Sequence, residues 1–413
     1  MKRRTFLLGA LLPAAALARG ASAAPAADDL ILIRDARLVP VSGPVVQRGS
    51  LLLRGGRIAA LGANVAAPAG ARVIDGAGLS AYPGMIETDT QLGLSEISSV
   101  RATVDAAELG DLNPQLCAFE AFHPHSELIP VTRANGVTTV LTRPSGGTVP
   151  GQAALMNLAG WTAEEMAARP RAGLVVRYPR GANGAQLSAL KTLLKTAGEY
   201  QGPKPGEPVD LKLTALQPYV KGELPVLFEV NRKEEIEGAL ALTEEYRLRS
   251  ILSGVLEADQ VTKLLKEKQA KCLVGSILSQ PSGTREAYDQ LFALPAALHE
   301  AGIPFALVSG DTANARNLPY HAAMAISYGL PADAALRAVT LAPAEILGVE
   351  KDYGSLAVGK VGNLFLATGD PFDPRTQVKH LFIQGRPVDL DNRHEALYRK
   401  FLQRLSEGMK DER

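Results

Sequence analysis

Three acidic side chains stand where apolar runs end. Asp89, with Gln91 two residues on, follows the apolar start of "YPGMIETDTQLGL" (82–94), Glu229 closes "LPVLFE", and Asp311 closes "FALVSGD". A fourth run, "RSILS", ends on Ser253. Oxygen donors of this kind suit a hard divalent ion (magnesium, manganese or calcium) better than zinc, which prefers imidazole and thiolate. Without a metal, three carboxylates facing one cavity repel, and one of them holds a proton at neutral pH. The group then works as an acid–base pair, or only binds a cationic or amide-bearing ligand. Any one carboxylate alone reads as a helix cap or an ion-pair partner. Three at the ends of strands point to a shared polar site.

Other chemistries find little support. No G-x-G-x-x-G follows a strand, and no Gly-Lys-Ser/Thr loop occurs. "PSGGTVPGQ" (144–152) lacks the lysine of a phosphate cradle and reads as a flexible loop near the site. "RPSGG" lacks the first glycine of a nucleophile elbow. Cys117 and Cys272 are too far apart in sequence to suggest a zinc site or a disulfide framework. Of the six histidines, His123 and His125 form a tempting His-x-His, but Pro124 between them breaks a strand ladder.

The elements that must position these residues alternate. Strand-like runs "VTTVLTRP", "GLVVRYP", "LPVLFEV", "RSILSGV", "KCLVGSI" and "PFALVSG" are separated by helical patterns such as "GAQLSALKTLLKTAG" and "RKEEIEGALALTEEY". Strand–helix alternation on this scale predicts an α/β fold with a parallel sheet, and the span suits a closed eight-fold barrel. Short apolar alternations between glycine turns, from Leu30 to about Ala81 and again in "GNLFLATGDPFDPRTQVKHLFIQGRPV", predict two β patches that pair into one small domain. The tail "RHEALYRKFLQRLSEGMKDER" reads as an amphipathic helix packed on its own barrel.

With 413 residues and 46% hydrophobic composition, a large buried core is expected, and a net charge of +1 gives no footprint for nucleic acid. At the start, "KRRTFLLGALLPAAALARGASAA" combines a basic end, an apolar run and a small-residue exit. Arg3 and Arg4 before Thr5, Phe6 and Leu7 match the twin-arginine export pattern. Residues 1–23 are therefore read as a signal peptide, with the mature chain periplasmic and free of a stable membrane anchor.

Three long stretches, "VIDGAGLSAYPGMIETDTQLGL", "VSGDTANARNLPYHAAMAISYGLPADAALRAVTLAPAEILGV" and "GSLAVGKVGNLFLATGDPFDPRTQVKHLFIQGRPV", resemble the amidohydrolase superfamily. "SELIPVTRANGVTTVLTRPSGG", "MNLAGW" and "GELPVLFEVNRKEEI" look like its imidazolonepropionase-like branch. The resemblance implies a distorted (β/α)8 TIM barrel over 82–349. It also implies a small β-sandwich from 24–81 and 350–390, with a terminal helix over 391–413. Active members place His-x-His at the end of strand one, a histidine on each of strands five and six, and an aspartate on strand eight. Here those positions read Asp89-Thr90-Gln91, Glu229, and Ser253 or Gly254, and only Asp311 matches.

The resemblance thus implies a degenerate, histidine-poor metal site. Asp311 and Glu229 are the implied catalytic residues. Asn314, Tyr320 and His321, just past strand eight, are the implied substrate contacts, with Gly146 and Trp161 also shaping the pocket. Asp89, Gln91, Glu229 and Asp311 are the ligands of one hard divalent ion if any metal is bound. The implied activity is hydrolysis of an amide or cyclic amide C–N bond in a small-molecule substrate. The alternative is an inactive homologue acting as a binding or scaffold protein. A homodimer is compatible with the family.

Overall fold

A computed structural model of the chain describes residues 30–179, 184–203, 205–280 and 287–411. The expected signal segment lies outside the described residues. The strands in chain order are β1 (Leu30–Leu38), β2 (Val46–Arg54), β3 (Arg57–Gly62), β4 (Arg72–Asp75), β5 (Ser80–Pro83), β6 (Met85–Thr90), β7 (Val137–Thr142) and β8 (Gly151–Asn157). They continue with β9 (Ala167–Arg177), β10 (Val226–Val230), β11 (Ser250–Gly254), β12 (Cys272–Val274), β13 (Phe305–Leu307), β14 (Leu364–Ala367), β15 (Val378–Ile383) and β16 (Arg386–Val388).

The two ends of the chain meet in one sheet, in the order β16-β15-β14-β5-β1-β2-β3, with β4 beside β1. The join is the antiparallel pair β5–β14, where Tyr82 lies opposite Phe365 and their rings stack with centroids 5.4 Å apart. Gly84 carries the chain from this sheet into the barrel. A Cβ there would lie 2.1 Å from the Thr138 hydroxyl, so no larger residue fits between β5 and β6.

Strands β6 to β13 form the second sheet in sequential order and curl into a nearly closed barrel, as expected of a distorted TIM barrel. One strand departs from the parallel pattern. β8, absent from the strand-like runs of the sequence, is antiparallel to both β7 and β9. The reason is loop length. Only residues 143–150 separate β7 from β8, whereas a parallel crossover needs a dozen or more residues. Between β9 and β10 the helices Ala185–Glu199 and Leu211–Val220 supply that length, and the pairing returns to parallel.

Inside the barrel, Ile86, Leu141, Leu155, Val175, Leu227, Ile251, Leu273, Ala306 and Val308 form one buried cluster. Side chains alternate along a strand, so residues two beyond these share the inward face. Along β7, β9, β10 and β11 that rule selects Arg143, Arg177, Glu229 and Ser253.

β13 and β6 share no backbone ladder, and side chains close the seam. Glu87, fully buried on β6, accepts the Ser309 N–H at 2.8 Å through Oε2 and the Asp89 N–H at 2.8 Å through Oε1. Thr90 Oγ1 donates to the Asp311 carbonyl at 2.8 Å.

The terminal helix spans Arg393–Asp411, and its described apolar residues do not lie on the barrel. Leu397, Tyr398, Phe401, Leu402 and Leu405 are exposed, and the helix meets the body beside the helix Leu128–Arg133. Among the described residues, no helix is long and apolar enough to cross a membrane.

Candidate functional site

At the C-terminal end of the barrel, polar residues from three other strands meet on the guanidinium of Arg143. Arg143 follows β7 directly, and its own N–H donates to the Thr90 carbonyl at 2.9 Å, which fixes its backbone against the end of β6. Its side chain is 6% exposed. Nη2 donates to Asp89 Oδ1 in a short ion pair and lies 3.6 Å from Glu229 Oε1, while Nη1 donates to Ser253 Oγ at 2.9 Å. On the far side of Glu229, Arg177 Nε lies 3.3 Å from Oε2, with the Arg177 side chain 54% exposed.

Local structure explains who is present. Glu229 and Ser253 sit opposite each other in the β10–β11 register, each two residues beyond an inward-facing Leu227 or Ile251. In that register the strand-six candidate Ser253 stands level with Glu229, and Gly254 lies one residue further on. Asp89 has the wrong parity for an even strand, but the β6–β7 register shifts between Glu87 and Thr90. Such a bulge re-aims a side chain.

Two arginines thus face two carboxylates. Burial acts to lower the pKa of Arg143, but Asp89 and Glu229 outweigh it and hold the guanidinium above its usual range. Burial pushes Glu229 up, against the pull of Arg143. Behind them Glu87 is driven up to about 8 by burial, although the groups of Ser309 and the Asp89 N–H favour its charged form.

Asp311 does not join this cluster. Val308 faces inward, so the next inward position is Gly310, whose φ of +65° turns the chain. The exposed Asp311 carboxylate instead accepts the Asn314 N–H and Nδ2, each at 3.0 Å. Partial burial raises its pKa, the Asn314 donors lower it, and the donors win.

The other expected contacts divide. His321 is buried on the helix Leu318–Ser327, and its Nδ1 has no hydrogen-bond partner among the described residues. Burial lowers its pKa to about 4, against the charge of Asp311, so the ring is neutral at neutral pH. Tyr320 turns away from the mouth. It lines a cavity of about 400 Å³ with Asn135, Phe365 and Asn392, bordered by none of Asp89, Arg143, Glu229 or Asp311. Trp161 is 75% exposed, with its ring edge-on to His125 at 5.3 Å. His123 and His125 meet as rings 6.2 Å apart, not as a ligand pair.

The 144–152 segment is near the mouth, as expected, but it is tied down. Thr148 binds the Asp111 carboxylate through N–H (2.9 Å) and hydroxyl (2.8 Å), and its carbonyl accepts the Arg177 N–H at 2.9 Å. Gly147 takes a φ of +66°, and a Cβ there would lie 2.7 Å from the Asp111 carbonyl oxygen.

The oxygen cage expected of Asp89, Gln91, Glu229 and Asp311 does not assemble. Asp89 and Glu229 are both turned onto Arg143, and Asp311 is spent on Asn314. Among the described residues no group of three or more His, Cys, Asp or Glu is placed to hold a metal ion. Donors already neutralised by a buried cation do not fit a divalent ion.

Arg143 and Glu87 are not among the residues expected from sequence. Arg143 had a signal, since the strand-end rule selects it from "VTTVLTR" once bases count as well as acids. Glu87 had none, because it lies within β6 rather than past its end.

Residues 256–388 match the Amidohydrolase family model. No curated protein matches the chain. Among solved structures, an amidohydrolase from Thermotoga maritima MSB8 is 24% identical, with a TM-score of 0.81, over 87% of this chain and 99% of that one. A Xaa-Pro dipeptidase with bound methionine is 15% identical, with a TM-score of 0.57, over 87% and 100%. An adenosine deaminase from Xanthomonas campestris with bound zinc is 17% identical, with a TM-score of 0.50, over 90% and 97%. Residues 256–388 are thus similar to the Amidohydrolase family, and the chain shares the fold of the solved amidohydrolase over most of its length.

Proposed function

We propose that this chain is an exported, periplasmic hydrolase that cleaves a C–N bond, in an amide or cyclic amide, at the barrel mouth. The amidohydrolase-family match and the dipeptidase and deaminase neighbours support a hydrolase acting on carbon–nitrogen bonds. The observation that carries the site is the meeting of Asp89, Arg143, Glu229 and Ser253 at the C-terminal ends of four strands, where barrels of this type place their chemistry. The imidazolonepropionase-like motifs favour a cyclic amide.

In this reading Asp311, held ionised at the rim, takes the proton of the attacking water as its oxygen bonds to the carbonyl carbon. Asp311 then delivers that proton to the departing nitrogen as the C–N bond breaks, while Glu229, ionised between Arg143 and Arg177, aligns the two guanidiniums. The half-exposed Arg177 guanidinium can donate to the negative charge that develops on the carbonyl oxygen. Neutral His321, beside Asp311, contributes to the substrate wall. A homodimer is compatible with this reading and is not required by it.

The test is turnover by the purified chain on a panel of dipeptides, N-acyl amino acids and cyclic amides. Asp311→Asn should lower turnover at least about 100-fold with an unchanged melting temperature. Normal turnover in that variant ends this mechanism. A second reading, a binding protein without turnover, is favoured by the commitment of the Asp311 carboxylate to Asn314. It is recognised by a panel compound that raises the melting temperature and is recovered unchanged.

A further inference from the structure

We infer that the guanidinium of Arg143 has taken the place of a metal ion, so that this mouth is built around a fixed organic cation. The inference does not depend on the proposed hydrolysis.

Its geometric basis is that one side chain reaches three strand ends at once. Arg143 contacts Asp89 on β6, Glu229 on β10 and Ser253 on β11. Those three positions are where the resemblance places ligands. A planar fork of five N–H donors can serve several acceptors in one plane, which a lysine cannot. Here Nη2 serves both carboxylates and Nη1 serves the hydroxyl.

Charge gives a second argument. Asp89 and Glu229 carry two negative charges, and Arg143 and Arg177 answer with two positive ones. A divalent ion bound to the same carboxylates would share them with a buried guanidinium in direct contact. The guanidinium has little room to move away, because the Arg143 backbone is tied to Thr90 and its side chain is enclosed. The site is neutral as built, and an added dication would leave it with excess positive charge in a poorly solvated place.

Removing the guanidinium reverses the argument. Asp89 and Glu229 would then be two uncompensated carboxylates beside the Ser253 hydroxyl, around a space of side-chain size. That is an oxygen-donor set for a hard ion.

The experiment is equilibrium dialysis of the full chain against manganese and zinc, with elemental analysis and thermal melts. The wild type should hold no stoichiometric ion that depends on Asp89, and its melting temperature should not respond to either metal. Arg143→Ala should melt lower, and millimolar manganese should raise its melting temperature by about 5 °C. Adding Asp89→Asn to that variant should cancel the rise. Arg143→Lys, which keeps a cation, should stay indifferent to metal. The inference is overturned if the wild type binds one ion that Asp89→Asn abolishes, or if folded Arg143→Ala ignores both metals. Should Arg143→Ala fail to fold, the wild-type dialysis decides alone.

Discussion

Two sides of the barrel mouth obey the same sequence rule and end differently. On one side Asp89 and Glu229 lie around the buried Arg143 and lean on each other through it. On the other side Asp311, also just past a barrel strand, is exposed and satisfied by the loop it begins. A carboxylate at a strand end therefore has no meaning by itself. Its partner decides whether it is a member of a cluster or a local cap.

The largest effect is expected at Arg143. Arg143→Met would leave Asp89 and Glu229 facing each other with no buried countercharge. Half-buried pairs lose more by having one partner removed than they ever gained, and a cost of about 3 kcal/mol is expected in chemical denaturation. A cost below about 1 kcal/mol would mean that the mouth is wet enough to solvate both acids.

Glu87 gives a smaller, pH-dependent effect. Burial raises its folded-state pKa to about 8, so the folded chain holds this proton more tightly than the unfolded chain does. Its contribution is complete below the ordinary glutamate value and is lost as pH climbs towards 8. Melting temperatures of wild type and Glu87→Gln should therefore converge or cross between about pH 5 and 8, the wild type losing ground as pH rises. Parallel profiles would show that the two N–H donors keep Glu87 ionised.

The smallest effect sharpens the contrast between the two arginines on Glu229. Arg177 is half exposed, and exposed ion pairs contribute little. Arg177→Ala should change stability by no more than about 0.5 kcal/mol, against the several expected at Arg143. Equal losses at both would place Glu229 deeper than its 29% exposure indicates.

Much of the architecture is legible in the sequence because it rests on local patterns. Apolar runs bounded by glycine and proline locate the strands, and the two β patches announce their pairing. The reversal of β8 is harder to see, because its sign is a loop too short for a crossover rather than a strand signal. Strand ends reveal Asp89, Glu229 and Ser253. They do not reveal that Asp89 and Glu229 share a partner 54 residues beyond the first of them. Asp311 falls outside the cluster because inward parity runs through Val308 to Gly310, and a carboxylate one residue later begins a turn. Tyr320, expected in the pocket from its place after strand eight, sits on a face of its helix that looks towards Asn135 and Phe365.

The Glu87 stitch has a consequence for breathing motions. Where neighbouring strands zip by a continuous ladder, opening must break several backbone bonds in order. Between β6 and β13 the closure hangs on one carboxyl and one hydroxyl, so the amide of Ser309 reports a hinge line. Should this cylinder swell to admit a guest, it would part there first, and deuterium would reach the Ser309 amide before those of β10 and β11.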